Sequence, residues 1–138
     1  STLDGYSVTE EILGYSEYSL MVVAYKLKED KNGEEDFNWN SNYVKKWSNE
    51  LKPLLAASSN EGINIFVATS FSSEERITSF KNAIDLNVPF YLGDDILLKT
   101  IVRSNPGLVL MKDGVVMDKW HINKLPSFES VKSNYLDQ

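Results

Sequence analysis

Few residues of this sequence could carry chemistry, and none of them is a cysteine. The chain of 138 residues contains no cysteine and a single histidine, His121. Without a thiol, the chain offers no thiolate nucleophile, no disulfide and no cysteine-ligated metal site. One histidine also argues against a histidine-based metal site or a Ser-His-Asp triad. We therefore expect no catalytic residue, no metal and no cofactor in this chain.

Paired carboxylates are the next candidates, because such pairs can bind metals or act as general acids. None has the D-x-D-x-D-G spacing of a calcium loop. Each falls in a predicted loop or helix start, where a solvated charge that suits the helix dipole is the ordinary explanation. The pairs are Glu10-Glu11, Glu34-Glu35-Asp36, Glu74-Glu75 and Asp94-Asp95.

A run of hydroxyl residues follows one predicted strand, at the edge where α/β folds often bind ligands. These are Thr69, Ser70 and Ser72. Serine at such a place more often caps a helix, and no base partner is present to activate it as a nucleophile. His121 lies beside Trp120, and without a placed carboxylate it is interpreted as a surface residue at the sheet edge.

Two stretches are retained as candidate binding residues. The first, Asn38, Trp39, Asn40 and Ser41, precedes a predicted helix, whose N-terminus could hold an anion or a carbonyl. The structural alternative is that Asn40 or Ser41 caps the helix and Trp39 packs on the loop. The second stretch is Ser104, Asn105 and Pro106. An X-Pro bond is the one place where a cis peptide is cheap, and a structural turn is the alternative there too.

The elements that would position these residues follow from hydrophobic periodicity. Residues 19–27 predict a central strand, because the apolar run from Leu20 to Tyr25 would face both sides of a covered sheet. Further strands are predicted at 63–68 and at 88–92, the latter at an edge because of Pro89. Strand 108–111 leads to Asp113-Gly114, the strongest short hairpin signal, and residues 115–120 return antiparallel.

Helices are predicted between these strands. A stripe from residue 43 to residue 55 indicates a helix that Asn40 or Ser41 caps and that Pro53 should kink or interrupt. A capping box of Ser72 and Glu75 predicts a helix that ends near Asn87. Other helices are predicted over 8–14, after Asp94 and after Ser127. The predicted inward residues are Tyr43, Val44, Trp47, Leu51, Leu54, Leu55, Ile77, Phe80, Ala83, Ile84, Leu97, Leu98, Ile101, Val102, Phe128, Val131 and Tyr135.

Composition limits the class of protein and of partner. The length and the hydrophobic fraction of 42% predict one folded domain with a real core. A net charge of −6 argues against nucleic acid or an anionic membrane surface as the main partner. No apolar run is long enough to span a bilayer, so we expect no membrane insertion by this segment. The sequence has no n-region or h-region of a signal peptide, so we expect a cytosolic protein, a mature chain or a fragment of a longer protein, and Ser1 in place of Met favours the last two.

The order β-α-β-α-β-α-β-β-α, with Asn105-Pro106 before the hairpin, resembles the thioredoxin-like superfamily, in its peroxiredoxin-like and envelope thiol-oxidoreductase (TlpA-like) branches. The residues that carry this resemblance are Pro89-Phe90-Tyr91, Asp94 and Lys112-Asp113-Gly114. The resemblance implies an α/β fold with a central, mostly parallel sheet, a C-terminal antiparallel hairpin and helices on both faces. It also implies a cis proline, beside which the backbone of that fold pairs with an extended substrate peptide.

The stretches 103–110 and 119–121 are more specifically similar to the thioredoxin-like domain attached to DoxX/DoxD-type membrane proteins of Bacteroidetes-like bacteria. That similarity implies a domain at 18–138 behind an N-terminal extension at 1–17. It places the domain on the periplasmic side of a bacterial inner membrane, with a soluble envelope or cytoplasmic protein as the alternative. The expected partner is the chain's own upstream membrane domain or an extended peptide, and not nucleic acid.

The sequence departs from the superfamily where the reactive pair should be. A redox thioredoxin carries Cys-x-x-Cys at the helix start after its first central strand, where the helix dipole stabilises a thiolate. Here that region is Asn38-Trp39-Asn40-Ser41, without sulfur. We therefore expect a redox-inactive binding or regulatory domain. The alternative is an accessory domain of a thiol-disulfide, quinone-linked or sulfur-linked oxidoreductase whose redox centre lies elsewhere.

Overall fold

A computed structural model describes residues 17–30, 37–70 and 72–137. The predicted helix at 8–14, and with it most of the predicted N-terminal extension, lies outside these residues. So does the acidic run from Glu34 to Asp36.

A five-stranded sheet forms the centre of the fold, in the order β3-β2-β1-β4-β5. The first strand is central, as its two apolar faces predicted. It pairs in parallel with β2 and antiparallel with β4. The outer pairings are parallel for β2 with β3 and antiparallel for β4 with β5. The strands are β1 (Tyr18–Ala24), β2 (Asn64–Thr69), β3 (Phe90–Leu92), β4 (Gly107–Lys112) and β5 (Val115–His121).

Helical segments connect and cover the strands. The α-helices are α1 (Ser41–Lys45), α2 (Lys52–Asn60), α3 (Glu74–Ile84), α4 (Asp95–Ile101) and α5 (Phe128–Val131). A π-helical turn, Lys46–Leu51, joins α1 to α2, and another, Lys132–Leu136, follows α5. A 3₁₀ turn, Ile122–Lys124, follows β5. Within the described residues, no helix is long and apolar enough to cross a membrane.

Apolar side chains pack on both faces of the sheet, because successive residues of a strand point to opposite sides. On one face, Leu20 and Val22 of β1 join the stripe of α1 and α2 and residues from α3 and α5. On the other face, Met21 and Val23 pack with Leu98 of α4. Helices therefore lie on both faces, as predicted.

The helix was expected to be kinked or interrupted at Pro53, and the structure has a π-helical turn, Lys46–Leu51, just before that residue. Lys52 donates its backbone N–H to the carbonyl of Trp47, five residues back. Pro53 then falls in the first turn of α2, where its missing N–H is tolerated. The Asp113-Gly114 hairpin is confirmed, with φ of 54° and 77° at its two central residues.

Several sequence predictions at α3 and β1 are wrong. The cap of α3 is Ser73, whose Oγ accepts from the N–H of Arg76 at 3.1 Å, and not Ser72. This helix ends at Ile84 because Asp85 turns left-handed at φ 50°, and Ala83 is exposed. The first strand ends at Ala24, and the chain then turns away from the sheet.

Candidate functional site

The loop between α4 and β4 contains a cis peptide bond, at Asn105-Pro106. Ser104 of this loop is buried. Its Oγ donates to the carbonyl of Pro106 at 2.6 Å and accepts from the N–H of Ile122 at 2.9 Å. Ser104 therefore fastens the proline loop to the end of β5.

The side chain of Asn105 is held by α1 and by the segment after β1. Its Nδ2 donates to the carbonyl of Lys26 at 2.7 Å. The hydroxyl of Tyr43 lies 2.8 Å from Oδ1 of Asn105 and 2.9 Å from the same Lys26 carbonyl. A hydroxyl has one proton, so Tyr43 donates to one of these two acceptors at a time.

Tyr43 is buried, and burial raises the pKa of its hydroxyl above the ordinary value of 10.0. Its neighbour Trp47 acts in the opposite direction on that pKa. The hydroxyl therefore stays protonated at neutral pH and serves as a hydrogen-bond donor. It is not a base or a nucleophile.

The backbone of Asn105, unlike its side chain, is available. Among the described residues, neither its N–H nor its carbonyl has a hydrogen-bond partner. The residue is only half-buried, so a ligand could reach this backbone. A free donor and acceptor on one residue is what an added extended strand pairs with. Asn105 thus has an anchored side chain and, within the described part of the chain, an unpaired backbone.

The segment before α1 is clamped to the segment after β1. Asn40 caps α1, because its Oδ1 accepts from the N–H of Tyr43 at 2.9 Å. Its Nδ2 donates to Asp30 at 2.8 Å, and the N–H of Asp30 donates to the carbonyl of Asn38 at 2.8 Å. Asn40 is therefore the cap of the helix, as the structural alternative allowed. Ser41 and the side chain of Asn38 are exposed.

Trp39 packs on α3 as well as on the loop, where the structural alternative placed it. Its ring lies edge-on to Phe80 with centroids 4.9 Å apart, and its Nε1 donates to Ser79 at 3.0 Å. The guanidinium of Arg76 lies 5.0 Å from the Trp39 ring centre. Arg76 also donates to Glu29 at 2.9 Å and to Ser72 at 2.8 Å, so it ties α3 to this loop.

The structure brings the two predicted stretches together through residues that the sequence analysis did not select. Tyr43 was assigned to the core stripe, and Lys26 to a strand end. A signal was present, because a tyrosine inside a core stripe needs a partner for its hydroxyl. That partner is Asn105, which is 62 residues away in sequence, so hydrophobic periodicity could not identify it.

The arrangement can bind but lacks the groups for thiol chemistry. The helix start beside the proline holds amide, hydroxyl and phenol groups, and the chain contains no cysteine. Among the described residues, no group of three or more acidic or histidine side chains could hold a metal ion.

Solved structures similar to this chain are thioredoxin-like. The thioredoxin domain of a thiol-disulfide oxidoreductase from Bacteroides vulgatus is 16% identical, with a TM-score of 0.59 over 96% of this chain and 89% of that one. A thiol:disulfide interchange protein from Bacteroides sp. is 16% identical, with a TM-score of 0.61 over 99% and 84%. StoA from Bacillus subtilis is 13% identical, with a TM-score of 0.55 over 96% and 90%.

No protein family model and no curated protein matches the chain. The similarity to solved structures therefore establishes the fold, which is thioredoxin-like. The names of the first two proteins describe thiol-disulfide chemistry, whereas this chain contains no cysteine.

Proposed function

We propose that this chain is a redox-inactive, thioredoxin-like binding domain that takes up an extended peptide at the Asn105-Pro106 loop. The observation that carries the proposal is the free backbone N–H and carbonyl of Asn105, on a loop whose side chains are already anchored. An extended segment could add to this backbone as a strand. The absence of cysteine removes thiol-disulfide exchange but leaves this pairing intact.

A selection from a displayed library of random eight-residue peptides tests this function. Peptides enriched on the wild-type chain should bind Asn105→Ala at least several-fold more weakly, because that variant loses the anchorage to Lys26 and Tyr43. The matched control is Asn123→Ala, since the Asn123 side chain is exposed. Equal binding to the wild type and Asn105→Ala, or no enrichment over an unrelated acidic protein, would refute the proposal.

We also propose a cellular setting, from the resemblance at 103–110 and 119–121. The chain would be the periplasmic, soluble part of a DoxX-like membrane protein, and the extended segment would belong to its own membrane domain or to a protein in the envelope. An antibody against this domain, applied to fractionated source cells, tests the setting. A membrane band well above 15.7 kDa, with the domain open to protease from the periplasmic side, is expected. A soluble band near 15.7 kDa would contradict it.

The accessory-domain alternative is compatible with the thiol-disulfide oxidoreductases of similar fold. In that case the redox centre lies elsewhere in the native protein. Cysteines or a cofactor site in the full-length chain would support this alternative, and a full-length chain without either would remove it.

A further inference from the structure

An open groove lies beside the proline loop, between the end of β1 and α4. It has a volume of about 540 Å³ and is lined by Tyr25, Ile96, Lys99, Thr100 and Arg103. Ile96 is 69% exposed, so its side chain offers apolar surface to the groove. Tyr25 is half-buried beneath it. The groove therefore offers apolar surface, and its lining residue Arg103 is two residues from Asn105 in sequence.

Positive charge without a partner lies next to this groove. Arg103 lines it, and Lys26 lies beside the loop because its carbonyl accepts from Asn105. Both side chains are exposed, and neither has an ion-pair partner in the part of the chain that the structure describes. The chain as a whole has a net charge of −6, but both charged side chains that line the groove, Lys99 and Arg103, are cationic.

The acidic residues near the groove are already engaged, and they lie at its other end. Asp94 caps α4 by accepting from the N–H groups of Ile96 and Leu97 at 2.9 and 3.0 Å. Asp95 pairs with Lys99 at 3.8 Å. Neither carboxylate lines the groove, whose charged lining residues in the described part of the chain are Lys99 and Arg103.

We infer that the occupant of this groove is an acidic, extended peptide, and this inference rests on the function proposed above. An aliphatic side chain of the peptide would contact Tyr25 and Ile96. Its carboxylates would face Arg103 and Lys26, while its backbone pairs with Asn105. Complementary charge of this kind raises the association rate and selects among partners more than it raises affinity.

Matched peptides test the charge preference separately from binding itself. Peptides enriched in the library selection are compared with analogues in which every Asp and Glu is replaced by Asn or Gln. We expect the enriched peptides to be rich in Asp and Glu, and the neutral analogues to bind at least fivefold more weakly. Raising the ionic strength from about 0.05 M to about 0.5 M should reduce that difference, because exposed charges are screened.

Charge-removing variants locate the preference. The double variant Lys26→Gln/Arg103→Gln should lose most of the difference between acidic and neutral peptides while still binding the neutral ones. The control is Lys46→Gln, because Lys46 is also exposed but lies on the π-helical turn after α1. It should bind like the wild type.

The outcomes separate this inference from the proposed function. Equal binding of acidic and neutral peptides, with the loop variant Asn105→Ala still impaired, overturns the acidic preference and leaves the binding function standing. A preference that survives Lys26→Gln/Arg103→Gln overturns the assignment to this groove. Failure to enrich any peptide overturns both.

Discussion

The hydroxyl of Tyr43 lies 2.8 Å from Oδ1 of Asn105 and so joins the start of α1 to the proline loop. The contact joins a buried phenol to an amide. The junction is held by hydrogen bonds, and the chain has no cysteine that could supply a thiol there.

Removal of the Tyr43 hydroxyl should destabilise the fold. Tyr43→Phe keeps the ring contacts but leaves Asn105 Oδ1 without its partner, and we expect a loss of about 1–2 kcal/mol in the free energy of unfolding. Urea denaturation measures it. Tyr25→Phe is the control, because the Tyr25 hydroxyl has no hydrogen bond within the described residues, and it should change stability by less than about 0.5 kcal/mol. Equal losses in the two variants would contradict the role of Tyr43.

The buried phenol also predicts a decline in stability at high pH. Burial raises the pKa of Tyr43 in the folded protein, while the unfolded chain titrates near the ordinary value of 10.0. Above that pH the unfolded state loses a proton that the folded state keeps. Above the ordinary tyrosine pKa, Tyr43 alone should therefore lower the free energy of unfolding by about 1.4 kcal/mol per pH unit.

Comparison with Tyr43→Phe isolates this contribution from other titrating groups. The difference in stability between the wild type and Tyr43→Phe should be constant from neutral pH to about pH 9. It should then shrink as the pH rises through the ordinary tyrosine pKa of 10.0. A difference that does not change with pH would show that Tyr43 titrates normally in the folded protein.

The guanidinium of Arg76 should resist replacement by lysine. A lysine cannot reach Glu29 and Ser72 in a fixed fork while it stacks on Trp39. We expect Arg76→Lys to cost about 1–2 kcal/mol of unfolding free energy. The matched control is Arg103→Lys, at an exposed arginine, which should be within about 0.5 kcal/mol of the wild type. A neutral Arg76→Lys would mean that a simple positive charge suffices there.

The elements that position the site could be predicted from the sequence because their signals are local. The two apolar faces of β1, the Asp113-Gly114 turn and the caps Asn40, Asp94 and Ser127 all depend on neighbouring residues. The junction of Tyr43, Asn105 and the Lys26 carbonyl depends on how distant segments pack. Ser72 was predicted to cap α3. Its Oγ instead accepts a hydrogen bond from Arg76, which also binds Glu29 in a loop that is distant in sequence.

Close packing under the proline loop predicts that Gly107 cannot be enlarged. A Cβ at Gly107 would lie 2.5 Å from a methyl carbon of Val102, which is nearer than two carbons can approach. Gly107→Ala should therefore destabilise the protein by about 1–3 kcal/mol, measured by thermal or urea denaturation. Adding Val102→Ala should recover part of the stability that Gly107→Ala loses relative to Val102→Ala alone. Failure to recover any would point to a backbone requirement instead.

The proposed function depends on where an extended peptide binds to the domain. The β5 edge is the rival surface, because Val115, Val116 and Met117 are exposed on an edge strand that pairs only with β4 in the described sheet. The most direct measurement is a titration of the ¹⁵N-labelled chain with a library-selected peptide, followed through its backbone amide resonances. We predict that the largest shifts fall on Lys26, Arg103 and Asn105, with the resonances of residues 115–117 unchanged. Shifts concentrated on residues 115–117, with the proline loop unaffected, would contradict the account.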